Sequence, residues 1–184
     1  MRVIAGKYKS RSLQTIQSSS TRPTTDKNKE NLYNIIGPYF NGGNCLDLFA
    51  GSGGLGIEAL SRGMECLYSV DNNYHAYTII KKNIETLKMS EETHVLKSDY
   101  RKAIDKLSKE SIAFDLVLLD PPYGKKIIQP LLIKLQELKL LNEGCIVVCE
   151  DLKEEEFGET YLSLRRIKQV SYGITALHIY QFEE

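Results

Sequence analysis

Two short segments carry residue types suited to group-transfer chemistry. The first is DLFAGSGGLG, residues 47–56. Gly51, Gly53 and Gly56 satisfy G-x-G-x-x-G, a pattern that lets the backbone turn tightly and approach a ligand closely. Asp71 follows Gly51 by twenty residues. A carboxylate there can accept hydrogen bonds from both hydroxyls of an adenosine ribose. The pair predicts a site for a nucleoside-containing cofactor at the C-terminal edge of a parallel sheet. It does not choose the cofactor, because a dinucleotide fold carries the same glycines and acid. Asp47 ends the strand before the loop. It could face the ammonium group of S-adenosylmethionine, directly or through water, and a dinucleotide offers no such cation. Asp99 and Tyr100 end a third strand and are placed to contact an adenine amino group and ring.

The second segment is Asp120-Pro121-Pro122-Tyr123, which follows the apolar run FDLVLL. Two prolines stiffen the loop and remove its N–H donors. The Asp120 carboxylate and the Pro121 carbonyl then stand as acceptors beside the flat face of Tyr123. That trio suits an exocyclic amino group on a planar base. A nucleobase amine is a poor nucleophile because its lone pair is delocalised into the ring. Two acceptors on its hydrogens favour a pyramidal nitrogen, and Asp120 stabilises the positive charge that develops there. Holding nitrogen and methyl in line supplies much of the remaining rate. A carboxylate is a weak base at neutral pH, so Asp120 is read as positioning and electrostatic, with water taking the proton.

The elements that must carry these segments alternate along the chain. MRVIAGKYKSRSLQTI reads as a short β-hairpin and QSSSTRPTT as a loop. Thr25 or Asp26 then caps a helix, DKNKENLYNIIGPYF, with Leu32, Ile35, Ile36 and Tyr39 on one face. Strands follow at 44–50, 65–71, 94–99, 114–120 and 144–150. Helices are expected after Gly53, over Ala76–Leu87 and over IIQPLLIKLQELKLL. The last stretch looks like a hairpin turned around Tyr172–Gly173. Apolar strands alternating with amphipathic helices predict a mostly parallel α/β sheet covered on both faces, with an antiparallel hairpin at its edge.

Composition sets bounds on the function. At 184 residues one domain is the default, and such a chain buries roughly 70% of its unfolded surface. Cys45, Cys66, Cys145 and Cys149 form no C-x-x-C pair, so no metal site or disulfide framework is expected. Cys145 and Cys149 stand in the apolar run GCIVVCE and read as core. With no long apolar stretch, no membrane segment is expected, and a reducing cytoplasmic setting follows. The formal net charge is +0, but it is unevenly spread. Residues 1–25 carry Arg2, Lys7, Lys9, Arg11 and Arg22 and no acid. From Glu150 to Glu184 eight acids face four bases, and the LKEEEFGE stretch reads as a solvated loop. A local basic patch can steer a polyanion even in a neutral molecule.

The segments MRVIAGKYKSRSL, STRPTTDKNKENLYNII, CLDLFAGSGGLGIEALSRG, VDNN, LLDPPY and YGITALHIY follow one another along the chain. In that order and spacing the chain resembles the RsmD-type methyltransferases of bacterial small-subunit (16S) ribosomal RNA, over essentially its whole length. That family methylates N2 of one guanine using S-adenosylmethionine. The resemblance implies a Rossmann-like class I methyltransferase domain over 44–184, with a mostly parallel seven-stranded sheet, helices on both faces and a C-terminal antiparallel hairpin. A hairpin-and-helix extension over 1–43 would face RNA. Gly51, Ser52, Gly53, Gly56, Asp71 and Asp99 would line the cofactor site, with Asp47, Phe49, Ala50, Asn72 and Tyr100 beside them. Asp120, Pro121, Pro122 and Tyr123 would hold the target base. Arg22, Thr24 and Thr25, in the family's Arg-Pro-Thr-Thr-Asp segment, would lie near the substrate.

The family usually has arginine where this chain has Lys27 and Lys29, which keeps the charge and loses the guanidinium fork. Lys7, Lys9 and Arg11 would contact phosphate. The partner implied is ribosomal RNA, within an assembled or assembling 30S particle, met by a monomer without metal. Only 50 residues precede the glycine loop, which leaves no room for a separate target-recognition region, so specificity must come from the shape of the RNA. Other readings of the residues are an amino-methyltransferase acting on DNA or another RNA, an NAD-dependent oxidoreductase and a non-catalytic RNA-binding module.

Overall fold

A computed structural model describes residues 1–17 and 25–184. The chain divides into two compact units, Met1–Tyr100 and Arg101–Glu184.

The first unit opens with a tight antiparallel turn. Arg2 and Ser12 form an isolated bridge, and the turn buries Val3 and Leu13. The expected hairpin is thus reduced to one bridge. Thr25 caps α1 (Asp26–Ile36), its hydroxyl accepting the Asn28 N–H at 3.2 Å. The helix stops at Gly37, whose φ of 123° a side chain would resist, and Pro38 follows. This is shorter than expected and changes the buried face. Lys29, Leu32 and Tyr33 are inside, while Ile35 and Tyr39 are 37% and 65% exposed. Tyr39 lies past the helix end and cannot share its stripe.

Three parallel strands follow, β1 (Asn44–Asp47), β2 (Cys66–Asp71) and β3 (Thr93–Lys97), in the order β3-β2-β1. Helix α2 (Gly54–Ser61) connects β1 to β2, and α3 (Tyr74–Leu87) connects β2 to β3. All six residues of the predicted α3 stripe, Ala76, Ile79, Ile80, Asn83, Ile84 and Leu87, are buried.

The second unit holds β4 (Phe114–Leu119), α5 (Ile128–Glu137), β5 (Leu141–Leu152), β6 (Thr160–Tyr161), β7 (Leu164–Tyr172) and β8 (Thr175–Phe182). Strands β4 and β5 are parallel, whereas β8 joins β5 and β7 antiparallel. The closing hairpin therefore stands where the sequence placed it. Short β6 pairs with β7 and makes eight strands among the described residues where seven were expected.

Helix α4 (Tyr100–Lys109) was not expected. Its buried residues are only Ala103, Ile104 and Leu107, a narrow stripe in a highly charged segment. Cys145 and Cys149 are core residues, and burial pushes both thiols far above their usual range. No described helix is long and apolar enough to cross a membrane.

Candidate active site

The glycine loop leaves β1 at Asp47 and enters α2 at Gly54. Gly51 has φ 57°, and a Cβ there would meet nothing within 4 Å. Its missing side chain thus leaves open space at the turn. Gly53 caps α2 in the left-handed conformation, φ 83°. Gly56 is required for a different reason. A Cβ on it would stand 2.7 Å from Leu67 Cδ1 and 3.1 Å from Asp47 Oδ2, so only glycine lets α2 pack on β2.

Two carboxylates hold the loop. Asp71 accepts the Gly51 N–H at 2.9 Å on one oxygen and the Asn73 N–H at 2.9 Å on the other. Each oxygen keeps a second lone pair, so ribose hydroxyls remain within its capacity. Asp47 is 2% exposed and accepts the Gly56 N–H at 3.1 Å. Burial lifts its carboxyl to about 7, opposed by that N–H bond and reinforced by the charge of Asp71.

Ala50 donates its N–H to Val70 O at 2.9 Å, which fastens the loop to β2. Phe49 and Tyr100 put ring centroids 5.2 Å apart at 48°. Asp99 is half-buried beside Tyr100, and Asn72 is exposed after β2. Asp47, Phe49, Ala50, Gly51 and Asp71, expected to hold a cofactor, thus lie at or just past the C-terminal ends of β1 and β2, whereas Asp99 lies past the end of β3 and Tyr100 opens α4 rather than ending a strand.

The sequence reading missed the fastening of the N-terminal segment to this loop. Ser52 Oγ accepts the Ile16 N–H at 3.0 Å. Buried Asn83 accepts the Gln14 N–H at 2.8 Å and donates to the carbonyls of Gln14 and Ser52, each at 3.0 Å. Asn83 was visible only as a polar residue in an apolar helical stripe. Glu58, fully buried on α2, accepts the Ile4 and Ala5 N–H groups at 2.9 and 3.0 Å. A lone carboxylate in GLGIEALS was its signal.

In the second unit Asp120 follows β4, half-buried, with Pro121 buried and Pro122 exposed. The Tyr123 hydroxyl donates to Glu150 Oε1 at 2.9 Å. Gly124 donates its N–H to Asp151 Oδ1 at 3.3 Å. Burial, then the charges of Asp120 and Glu150, push the Tyr123 phenol far up, so it stays a donor. Burial also raises Glu150. Neither acid was singled out from sequence, because Glu150 ends the apolar run GCIVVCE, read as a strand, and Asp151 simply follows it.

The basic residues divide. Lys7 and Lys9 are exposed. Lys7 Nζ lies 3.9 Å from Glu92 and 5.1 Å from the Tyr8 ring centre. Arg11 donates to Thr86 O at 3.2 Å. Thr25 spends its hydroxyl on the α1 cap. Arg22 and Thr24 lie outside the described residues. Lys27 is exposed, whereas Lys29 is fully buried and donates to Arg2 O at 2.6 Å. The replaced guanidinium at position 29 is thus a question of core packing. Among the described residues no cluster of His, Cys, Asp and Glu could hold a metal ion.

A family profile matches residues 1–181 from end to end. The chain belongs to that family, Conserved hypothetical protein 95. Several full-length relatives carry informative names. "Ribosomal RNA small subunit methyltransferase D" of Haemophilus influenzae is 33% identical over 98% of this chain and 93% of its own length. The Escherichia coli protein of the same name is 28% identical over 100% of this chain and 90% of its own. YlbH of Bacillus subtilis, provisionally named an rRNA methyltransferase, is 44% identical over 98% of each chain. Among solved structures, the yhhF protein of Escherichia coli superposes with a TM-score of 0.86 at 28% identity, covering 100% of this chain and 98% of that one. The Haemophilus influenzae protein HI0767 gives 0.82 at 31% identity, covering 100% and 98%. The resemblance to the RsmD-type enzymes is borne out, and so is the methyltransferase fold class.

Proposed function

We propose that this family member is an S-adenosylmethionine-dependent methyltransferase that modifies the N2 amine of a guanine in small-subunit ribosomal RNA. One observation carries the reading. A chain matched along its whole length by relatives named for small-subunit rRNA methylation also holds both the glycine cradle with Asp71 and the Asp120–Tyr123 segment.

The cradle fits the cofactor. Gly51 leaves open space at a turn, and its own N–H is held by Asp71. Asp71 would hold ribose hydroxyls, and Phe49, Asp99 and Tyr100 would hold adenine. Asp47 would place negative charge near the ammonium group, acting through the loop rather than at its surface, since it is 2% exposed. Ala50, Ser52, Gly53 and Gly56 shape the turn, and Asn72 borders it. S-adenosylmethionine supplies an electrophilic methyl group on a sulfonium sulfur.

The remaining work falls to residues of the second unit. Asp120 and the Pro121 carbonyl would accept the two N–H bonds of the guanine amine, and Tyr123 would stack on the base. Asp120 then stabilises the charge developing on nitrogen, worth ~3 kcal/mol for a well-placed group. Asp120 and Tyr123 would hold the amine in line while the methyl group passes from sulfur to nitrogen, and the extra proton on nitrogen would leave to water. The target base must first leave its stack, at a cost of a few kcal/mol, least in a loop. Residues 1–43 serve as the RNA-facing extension, with Lys7, Lys9 and Arg11 on phosphate. The substrate is a 30S particle or its precursor, acted on by a cytoplasmic monomer.

The test is incubation of the purified protein with radiolabelled S-adenosylmethionine and small subunits lacking their native methylation, followed by nucleoside separation. Label in N2-methylguanosine is expected. Label in another nucleoside would overturn the base and atom, and no label despite cofactor binding would overturn the reaction.

A further inference from the structure

We infer that Glu150 is a positioning residue for the acceptor base, acting through the hydroxyl of Tyr123. The inference rests on the reading that Tyr123 stacks on the target guanine. It adds a residue outside the four-residue motif and says how the motif's ring is aimed.

The prolines fix the backbone ahead of Tyr123, but a stiff backbone does not fix the torsions of its side chain. Gly124 and Lys126 have φ of 70° and 53°, and a Cβ on Gly124 would meet nothing within 4 Å. Pro122 is exposed. A tyrosine on such a loop has freedom at both χ angles, and a stacking platform needs those angles fixed. The fixing group comes from β5. Strands β4 and β5 run parallel with Leu119 opposite Cys149 as their last registered pair. Asp120 is the first residue after β4, and Glu150 is the next residue of β5. Glu150 is also registered against Leu177 of β8, so its backbone is held by a neighbouring strand.

Its carboxylate therefore offers a rigid acceptor, and the Tyr123 O–H donates to it at 2.9 Å. The next residue, Asp151, is 3% exposed and accepts the Gly124 N–H at 3.3 Å. Two consecutive acids thus staple the loop, one by the ring's hydroxyl and one by the backbone behind it. The phenol remains a donor throughout the physiological range, because burial and the surrounding carboxylates oppose its ionisation. A fixed ring costs less entropy when a base stacks on it and holds the amine nearer its attack geometry.

Three variants separate this role from a merely structural one. Tyr123→Phe keeps the stacking face and removes the hydroxyl. Glu150→Ala removes the acceptor, and Glu150→Gln keeps an acceptor oxygen while removing the charge. The expected result is that Tyr123→Phe and Glu150→Ala each lower kcat about 10- to 100-fold, the scale of a small misplacement, with calorimetric affinity for S-adenosylmethionine unchanged. Glu150→Gln should recover most of kcat. The double variant Tyr123→Phe/Glu150→Ala should be no slower than either single, because both remove one interaction. Losses that multiply, or an unchanged kcat in either single, would overturn the inference.

Hydrogen–deuterium exchange over residues 120–126 supplies a readout independent of turnover. Exchange should speed up equally in Tyr123→Phe and Glu150→Ala and stay at the wild-type rate in Glu150→Gln. Unchanged exchange in the first two would also overturn it. If the wild type makes no N2-methylguanosine, the functional reading fails, while the exchange result still decides whether Glu150 fixes the loop.

Discussion

The ammonium of Lys29 lies 3.4 Å from the carboxylate of Glu58, and neither side chain is more than 1% exposed. Glu58 also accepts from Arg62 Nε at 2.8 Å and from the backbone at Ile4 and Ala5. One buried anion thus ties α1, α2 and the N-terminal turn into the first unit. Burial pulls Lys29 below the usual lysine range, and the charge of Glu58 opposes that pull. Removing the shared anion would leave two buried cations without it, and breaking such a network costs about 3–5 kcal/mol. Glu58→Gln is therefore expected to lower stability by that amount in urea denaturation. Lys29→Met should cost less, because Glu58 keeps Arg62. The reverse order would sink this account of the cluster.

Asp47 predicts a pH dependence with a definite sign. An unfolded aspartate ionises near ~4, while burial lifts folded Asp47 to about 7. Between those values the folded chain holds a proton that the unfolded chain has lost. This group's contribution to stability therefore falls as pH rises through that window and is flat above it. Asp47→Asn should gain stability relative to wild type between pH 5 and pH 8, by at most ~4 kcal/mol. Its affinity for S-adenosylmethionine should fall, and wild-type affinity should strengthen as Asp47 ionises. A variant whose affinity matches wild type at pH 8 would remove Asp47 from cofactor binding.

Asp120→Ala should abolish methyl transfer and leave cofactor affinity within about 3-fold, since a charge-stabilising group acts on the reaction rather than on ground-state binding. Calorimetry with S-adenosylmethionine and single-turnover transfer separate the two quantities. Equal loss of both would contradict the assignment of Asp120 to the acceptor.

Replacing Lys7, Lys9 and Arg11 by alanine should weaken RNA binding and lower the salt slope by about 1 for each phosphate no longer neutralised. Lys7 leans toward Glu92 and Arg11 caps a carbonyl of α3, so Lys9 has the least competition. Lys9→Ala alone should take the largest single share. A salt slope equal to wild type in the triple variant would return this turn to a scaffolding role.

Much of this protein was legible from residue order alone. Alternation of apolar strands with the Ala76–Leu87 stripe specifies parallel strands joined by helices, because each element must bury one face. Gly51 and Gly53 mark a turn that needs positive φ, Gly56 marks a close helix–strand contact, and Asp71 marks an acceptor beside them. Asp120–Tyr123 marks a stiff loop at a strand end. Weak local patterns were lost, as in α4, where three apolar residues among ten are a faint stripe. Helix α1 ended early because Gly37 and Pro38 stop it, whatever the apolar residues beyond suggest.

Only the tertiary structure decided which charges are buried and what they hold. Lys29 and Glu58 stand 29 residues apart, and Tyr123 and Glu150 stand 27 apart. Lys29 stands among polar residues like an ordinary solvated charge, while Glu58 and Glu150 stand in apolar runs that do not name their partners. Burial is a property of what packs against a side chain, and the packing partners come from other elements. Residue types and spacing therefore determined the chemistry this chain can perform. The pairing of distant strands and helices decided which acids face solvent, which hold the glycine turn and which accept from the Tyr123 hydroxyl.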